Sequence, residues 1–212
     1  MSSVLAFDLE SRREAGGSVA GVATATVSRN DDPEGLGRVK LKLPWREPDF
    51  ETDWTRIVTP MAGAGRGAVF LPEVGDEVLV AFDRDDIRYP YVLGALWSKT
   101  DKPPEANSDK KNDVRIVKSR KGHFLRFNDG KAKGSITIEL SDGKKIEIDD
   151  DGIRITDKAN TITLDAKTGS ISIEATQSLT LKAPKITVEA SASLDLKGGG
   201  SLSASAGIVR IN

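Results

Sequence analysis

The sequence predicts an all-β chain in two parts. The first is a small Greek-key barrel, and the second is a shaft in which three copies wind short strands into an intertwined, triple-stranded β-helix. Three observations carry this prediction. Residues 18–97 hold short alternating apolar runs separated by turn residues. Residues 98–113 have the polar, proline-containing composition of a linker. From Ile136 onward the chain repeats one phrase, in which an apolar, a polar and a second apolar residue precede a turn.

Residues 1–17 read as a flexible arm ending in Arg12, Arg13 and two glycines, with Val4, Leu5 and Phe7 as its apolar contact for a partner. Strand signals follow at residues 19–27 and 38–43, where Val39, Leu41 and Leu43 alternate toward one face. Residues 30–37 between these two runs are dense in Asp, Gly and Pro, which are turn formers. Further strands are expected at Ile57-Val58, at residues 77–82 and at residues 90–94. Five short strands with little helical signal suggest an OB-fold for residues 18–97. After the linker, residues 114–117 and 123–127 read as two strands leading into the repeat, so the shaft is expected to span residues 114–212.

The repeat supplies the shaft core. Its pairs are Ile136/Ile138, Ile146/Ile148, Ile153/Ile155, Ile162/Leu164, Ile171/Ile173, Leu179/Leu181, Ile186/Val188 and Leu194/Leu196, then Leu202/Ala204 and Val209/Ile211. Residues i and i+2 of a strand share a face, so each phrase presents two side chains to one core. Successive pairs start between 7 and 10 residues apart, too uneven for the strict coils of a single-chain β-helix. Three copies that each supply one wall of a triangular prism would pair the exposed strand edges and bury the apolar residues. An obligate, intertwined homotrimer is therefore expected.

Composition narrows the function classes. A net charge of -1 gives no general case for a nucleic-acid or lipid partner, and there are no cysteines. The short apolar patch near the N-terminus runs straight into Asp8 and Glu10, unlike a signal peptide, so a chain made in the cytosol is expected. His123 is the single histidine, which speaks against a triad or an ordinary zinc site. Asp149-Asp150-Asp151 and the Asp83, Asp85, Asp86 loop follow no calcium pattern and read as solvated turns. Glu73 and Asp76-Glu77 read as turn residues, and Gly63 to Gly67 as a poor phosphate loop. Trp45, Trp54, Phe70, Phe82 and Trp97 could stack nucleotides, but without a basic stripe they are expected in core or trimer contacts. No cofactor, metal or catalytic residue is expected.

Several stretches resemble one family. These are Asp32-Pro33-Glu34-Gly35-Leu36-Gly37-Arg38-Val39-Lys40 with Leu43-Pro44-Trp45, and Trp54-Thr55-Arg56-Ile57-Val58-Thr59-Pro60-Met61-Ala62-Gly63-Ala64-Gly65. The most specific is Phe70-Leu71-Pro72-Glu73-Val74-Gly75-Asp76-Glu77-Val78-Leu79-Val80-Ala81-Phe82, continuing to Pro90-Tyr91-Val92-Leu93-Gly94-Ala95-Leu96-Trp97. Ser119-Arg120-Lys121-Gly122-His123 also looks like the start of that family's shaft. The sequence is identified as a member of the contractile-tail central spikes: phage baseplate spikes, valine-glycine repeat protein G spikes of type VI secretion and related extracellular injection devices. The resemblance implies a structural, membrane-puncturing spike whose OB domain forms a collar. It also implies a baseplate hub protein as a separate partner, since 17 residues supply no hub domain. No lysozyme domain lies between collar and shaft, and the His-x-His apex motif is absent. The ending at Ile208, Val209, Ile211 and Asn212 resembles spikes capped by a separate tip of the proline-alanine-alanine-arginine (PAAR) repeat type, with a target cell envelope met transiently. A trimeric fibrous adhesin or tail-fibre-like binding protein is the alternative reading.

Overall fold

The computed structural model describes residues 19–211, and the chain divides into two units between Asn112 and Asp113. Val4, Leu5, Phe7 and Asn212 lie outside the described residues. Among the described residues no helix is long and apolar enough to cross a membrane.

The first unit contains β1 (Val22–Arg29), β2 (Lys40–Lys42), β3 (Arg56–Ile57), β4 (Ala62–Gly63), β5 (Arg66–Gly67), β6 (Glu77–Phe82) and β7 (Pro90–Ala95). Five of these form one sheet in the order β2-β1-β6-β7-β3, with only β3 and β7 parallel. The two sheet ends meet through Val39 and Thr55, whose backbone groups exchange hydrogen bonds of 3.0 and 2.7 Å. That bridge closes the sheet into a barrel and removes its free edges. Val39, Leu41 and Leu43 point inward, as their alternation predicted, and pack with Ala25, Val27, Val78, Val80 and Val92. Irregular pairing within β1 and between Leu79 and Val80 bends the long strands around this small core.

One carboxylate organises the β1–β2 loop. Asp32 accepts the backbone N–H groups of Glu34, Leu36 and Arg38 and a two-pronged contact from the Arg38 guanidinium. Hydrogen bonding from Arg38, with backbone N–H donation behind it, holds the Asp32 carboxyl well below its ordinary value of 3.8. A depressed acid stabilises the fold in full above its unfolded-state value, and that contribution is lost as pH falls through the folded-state value. Asp32→Asn is therefore expected to lower the barrel's melting temperature at neutral pH. It should also flatten the loss of stability below about pH 4. Thermal melts across the acid range test this, and an unchanged acid limb would remove Asp32 from the role.

The second unit contains β8 (Val114–Lys118), β9 (Phe124–Asn128), β10 (Ser135–Glu139), β11 (Lys145–Asp149), β12 (Gly152–Thr156), β13 (Thr161–Asp165) and β14 (Ser170–Glu174). Each pairs antiparallel with the next in chain order, without a register shift. This corrects one sequence expectation: up to Glu174 a single chain does pair its own strand edges. The reason lies in the turns, each closed by a side-chain acceptor. Ser119, Asn128, Asp142, Asp149, Asp157 and Asp165 each receive a nearby backbone N–H at 2.6 to 3.2 Å. Such turns reverse the chain so quickly that neighbours in sequence become neighbours in the sheet.

Gly152 shows how tightly the strands approach. Its φ is +141°, and a Cβ there would overlap the backbone carbonyl of Leu164 on β13. Gly152→Ala is expected to push β12 and β13 apart at that end and lower the melting temperature of this unit. A circular-dichroism melt unchanged within error would contradict it.

Beyond Glu174 the pattern changes. Residues 175–210 are exposed and contain no strand, although the apolar phrase continues through Leu179/Leu181, Ile186/Val188 and Leu194/Leu196. The amide of Thr176 donates to the Asn160 side chain at 3.3 Å, which ties the departing chain to the 157–160 turn.

Candidate functional site

The register of the seven-stranded sheet assembles two continuous apolar columns. One runs through Phe127, Ile136, Ile148, Ile153, Leu164 and Ile171. The other runs through Val117, Leu125, Ile138, Ile146, Ile155, Ile162 and Ile173. All the predicted core residues from Ile136 to Ile173 thus share one face. Val117, Leu125 and Phe127 extend it and were missed as members of the repeat. Their own alternation was the available signal, but their spacing is not that of the later phrases. Arg115 stands opposite Phe127 at the head of the first column and pairs with Asp129 at 3.0 Å.

Burial on this sheet is inverted relative to the barrel. Ile138 is 49% exposed, Ile173 51% and Ile171 71%, whereas Val78 and Val80 are at 0%. On the opposite face Thr137 is 9% exposed. Ile138, Leu140, Ile155, Ile162, Ile173 and Leu179 line an apolar trough of about 570 Å³. Large contiguous apolar surface of this kind marks an association site. Lys144, Asp157, Asn160 and Glu174 also line it, and its isoleucines continue the second column, which suits a repetitive apolar partner. Further along, Ile208 and Ile211 are 74% and 91% exposed, and Val209 is also exposed.

The polar face is held by ion pairs. Lys133 bridges Asp149 at 2.9 Å and Asp151 at 2.8 Å, and Lys167 reaches Asp151 as well. Hydrogen bonds from Lys133, then Lys167, bring the Asp151 carboxyl down to about 2. Lys133 is in turn raised by Asp151 and Asp149. These lysines neutralise Asp149 and Asp151, and no cluster of metal-binding side chains occurs among the described residues.

The other candidate positions have local structural roles. His123 accepts the Ser141 N–H on Nδ1 at 3.1 Å, tying two turns together. Asp76 accepts the Glu73 N–H at 2.9 Å, and Asp86 pairs with Arg88 at 2.6 Å. Gly63 to Gly67 form the β4–β5 hairpin, not a phosphate cradle. Phe82 is core and meets Trp45 edge-on at 6.4 Å, while Arg29 and Lys40 cover Trp54 at 5.4 and 5.7 Å. Phe70 and Trp97 remain exposed.

This geometry coincides with two family matches. Residues 23–97 match a type VI secretion system/phage-baseplate injector OB domain. Residues 114–212 match a phage baseplate V C-terminal trimerisation domain. The chain belongs to the contractile-tail spike family. The apolar columns of the second unit fall within the residues matched to the trimerisation domain.

Individual relatives agree. The chain is 33% identical over 116 residues to the type VI secretion system spike protein VgrG2a of Pseudomonas aeruginosa, across 50% of this chain and 14% of that relative. It is 32% identical over 82 residues to spike protein VgrG3 of Vibrio cholerae, covering 37% of this chain and 8% of the relative. The actin cross-linking toxin VgrG1 of Vibrio cholerae is 32% identical over 72 residues, or 32% of this chain and 7% of that protein. The chain therefore spans only a small part of the curated relatives it matches.

Proposed function

We propose that three copies of this chain form a membrane-puncturing spike at the tip of a contractile injection apparatus. The observation that carries the reading is the inverted burial of the second unit. Its apolar columns face solvent, and the same phrase continues through residues with no strand partner in their own chain. Three copies closing around a common axis would bury the columns of the meander and pair the segments after Glu174 between chains. A dry core inside a continuous ladder of strands resists bending and unfolding under load, which is the physical requirement for a puncturing device. The role is mechanical rather than catalytic, and the particle is assembled in the bacterial cytoplasm.

The finer partners follow from the same reading. The arm bearing Val4, Leu5 and Phe7 would contact a separate baseplate hub. Ile208, Val209 and Ile211 from three copies, with Asn212, would form an apolar platform covered by a PAAR-type tip protein. An adhesin-like trimer would share the shaft but would bind a cell-surface ligand.

Light scattering at micromolar concentration, combined with electron microscopy, tests the central claim. A trimeric, elongated particle is expected, and a globular monomer would overturn it. Target-cell assays with the gene deleted distinguish spike from adhesin: sheath contraction should persist while delivery across the envelope is lost. Filter binding at low salt is expected to show no tight, salt-sensitive retention of nucleic acid.

A further inference from the structure

The meander has two lateral margins. Turns 119–123, 140–144 and 157–160 lie on one margin, and turns 129–134, 150–151 and 166–169 on the other. Because the strands alternate in direction, the two sets of turns are offset by one strand, about 4.8 Å in height. The 150–151 turn therefore lies midway in height between the 140–144 and 157–160 turns. Lys121, Lys144 and Lys158 stand on the first margin with Asp142 and Asp157, while Asp149, Asp150 and Asp151 stand together on the second with Lys131, Lys133 and Lys167.

Among the described residues two of these charges, Asp150 and Lys158, form no salt bridge. Lys133 and Lys167 take Asp149 and Asp151 but leave Asp150 exposed. Lys144 pairs with Asp142, while Lys158 is exposed, forms no salt bridge among the described residues and lies near enough to Asp142 to help lower its carboxyl. The Lys158 backbone is fixed with φ at +79°, by a turn in which Asp157 accepts the N–H groups of Ala159 and Asn160. Its stem rests on Gly143, so the ammonium is presented at the gap between the two turns of its margin.

Threefold closure has a strict consequence. Contacts around a ring are head-to-tail, so the first margin of each copy must meet the second margin of the next. An axis along the stacking direction keeps every residue at its own height. We propose that these margins are complementary docking edges, with the 149–151 turn of one copy seated between the 140–144 and 157–160 turns of its neighbour and Asp150 paired with Lys158. This rests on the trimer reading above and adds the register in which the copies meet. The apolar columns supply the cohesion. Symmetry about the stacking axis sets the height, and the Asp150–Lys158 pair adds a favourable contact at that height.

The cysteine-free sequence offers a direct test. Asp150 and Lys158 stand on opposite margins of one copy, separated by the five-residue β12, so a disulfide within the chain is out of reach. The double variant Asp150→Cys, Lys158→Cys, oxidised as the assembled full-length protein, is expected to run mainly as covalent dimers and trimers on a denaturing gel. Each single variant should remain monomeric there. A double variant that light scattering shows to be trimeric, but that yields only monomer on the gel, would overturn the proposed register. A parent chain that is itself monomeric would overturn the trimer reading and this one together. As a second measurement, Asp150→Lys and Lys158→Glu should each lower the urea midpoint of trimer dissociation. Combining the two should restore it, whereas additive losses would contradict the pairing.

Discussion

Ile155→Asp leaves no trimer at micromolar concentration: this is the expected result for a substitution in the middle of the second apolar column. Ile155 is flanked across the sheet by Ile146 and Ile162, and all three lie on the face that the proposed assembly buries. Threefold symmetry would place three carboxylates in that core at one height, with no basic residue among the column members beside them. An uncompensated buried charge costs about 3–5 kcal/mol, and here the cost recurs in each copy. Ile155→Val, which removes one methylene, should cost only about 0.5–1.5 kcal/mol and keep the trimer. Light scattering separates the outcomes. The barrel's own melting transition should survive in both variants, because its core residues belong to the first unit. A trimeric Ile155→Asp protein would show that this face is not the one buried.

Removal of residues 175–212 should have the second largest effect, mainly on kinetics. Leu179, Leu181, Ile186, Val188, Leu194 and Leu196 are all more than half exposed in the single chain. Burying such side chains between copies is worth roughly 1.5–3 kcal/mol each. Interlaced segments cannot separate without unwinding, so much of that energy should appear as a dissociation barrier. The full chain is expected to exchange subunits with a labelled copy over days, and the shortened chain within minutes to hours. Equal exchange rates would place the cohesion in the meander instead.

Much of this architecture was legible in the sequence. The inward face of Val39, Leu41 and Leu43 followed from alternation, and so did the shared face of Ile136 through Ile173. The Asp32 loop was visible as a turn, but not its carboxylate bonded to three backbone amides and an arginine. Barrel closure through Val39 and Thr55 was also hidden, because a bridge between two loop-flanked residues leaves no periodic trace. The ion pairs of Lys133 join positions 16 and 18 residues apart, which only the sheet register brings together.

The least legible point was where the chain stops pairing with itself. The apolar phrase has the same form on both sides of Glu174, and its period says which face a side chain takes but not which strand lies beside it. A signal does exist in the gaps. Before Glu174 every turn carries a Ser, Asn or Asp that caps it. The gaps at 175–178, 182–185, 189–193 and 197–201 contain no Asp or Asn at all. The sequence by itself determined the faces, the turns and the two-part, all-β plan, because these depend on local periodicity and turn chemistry. Only the tertiary structure decided that the first seven shaft strands pair within one chain while the remainder has no partner there. Strand pairing is a hydrogen-bond contest between segments, and it is settled by how quickly each turn brings the next strand back.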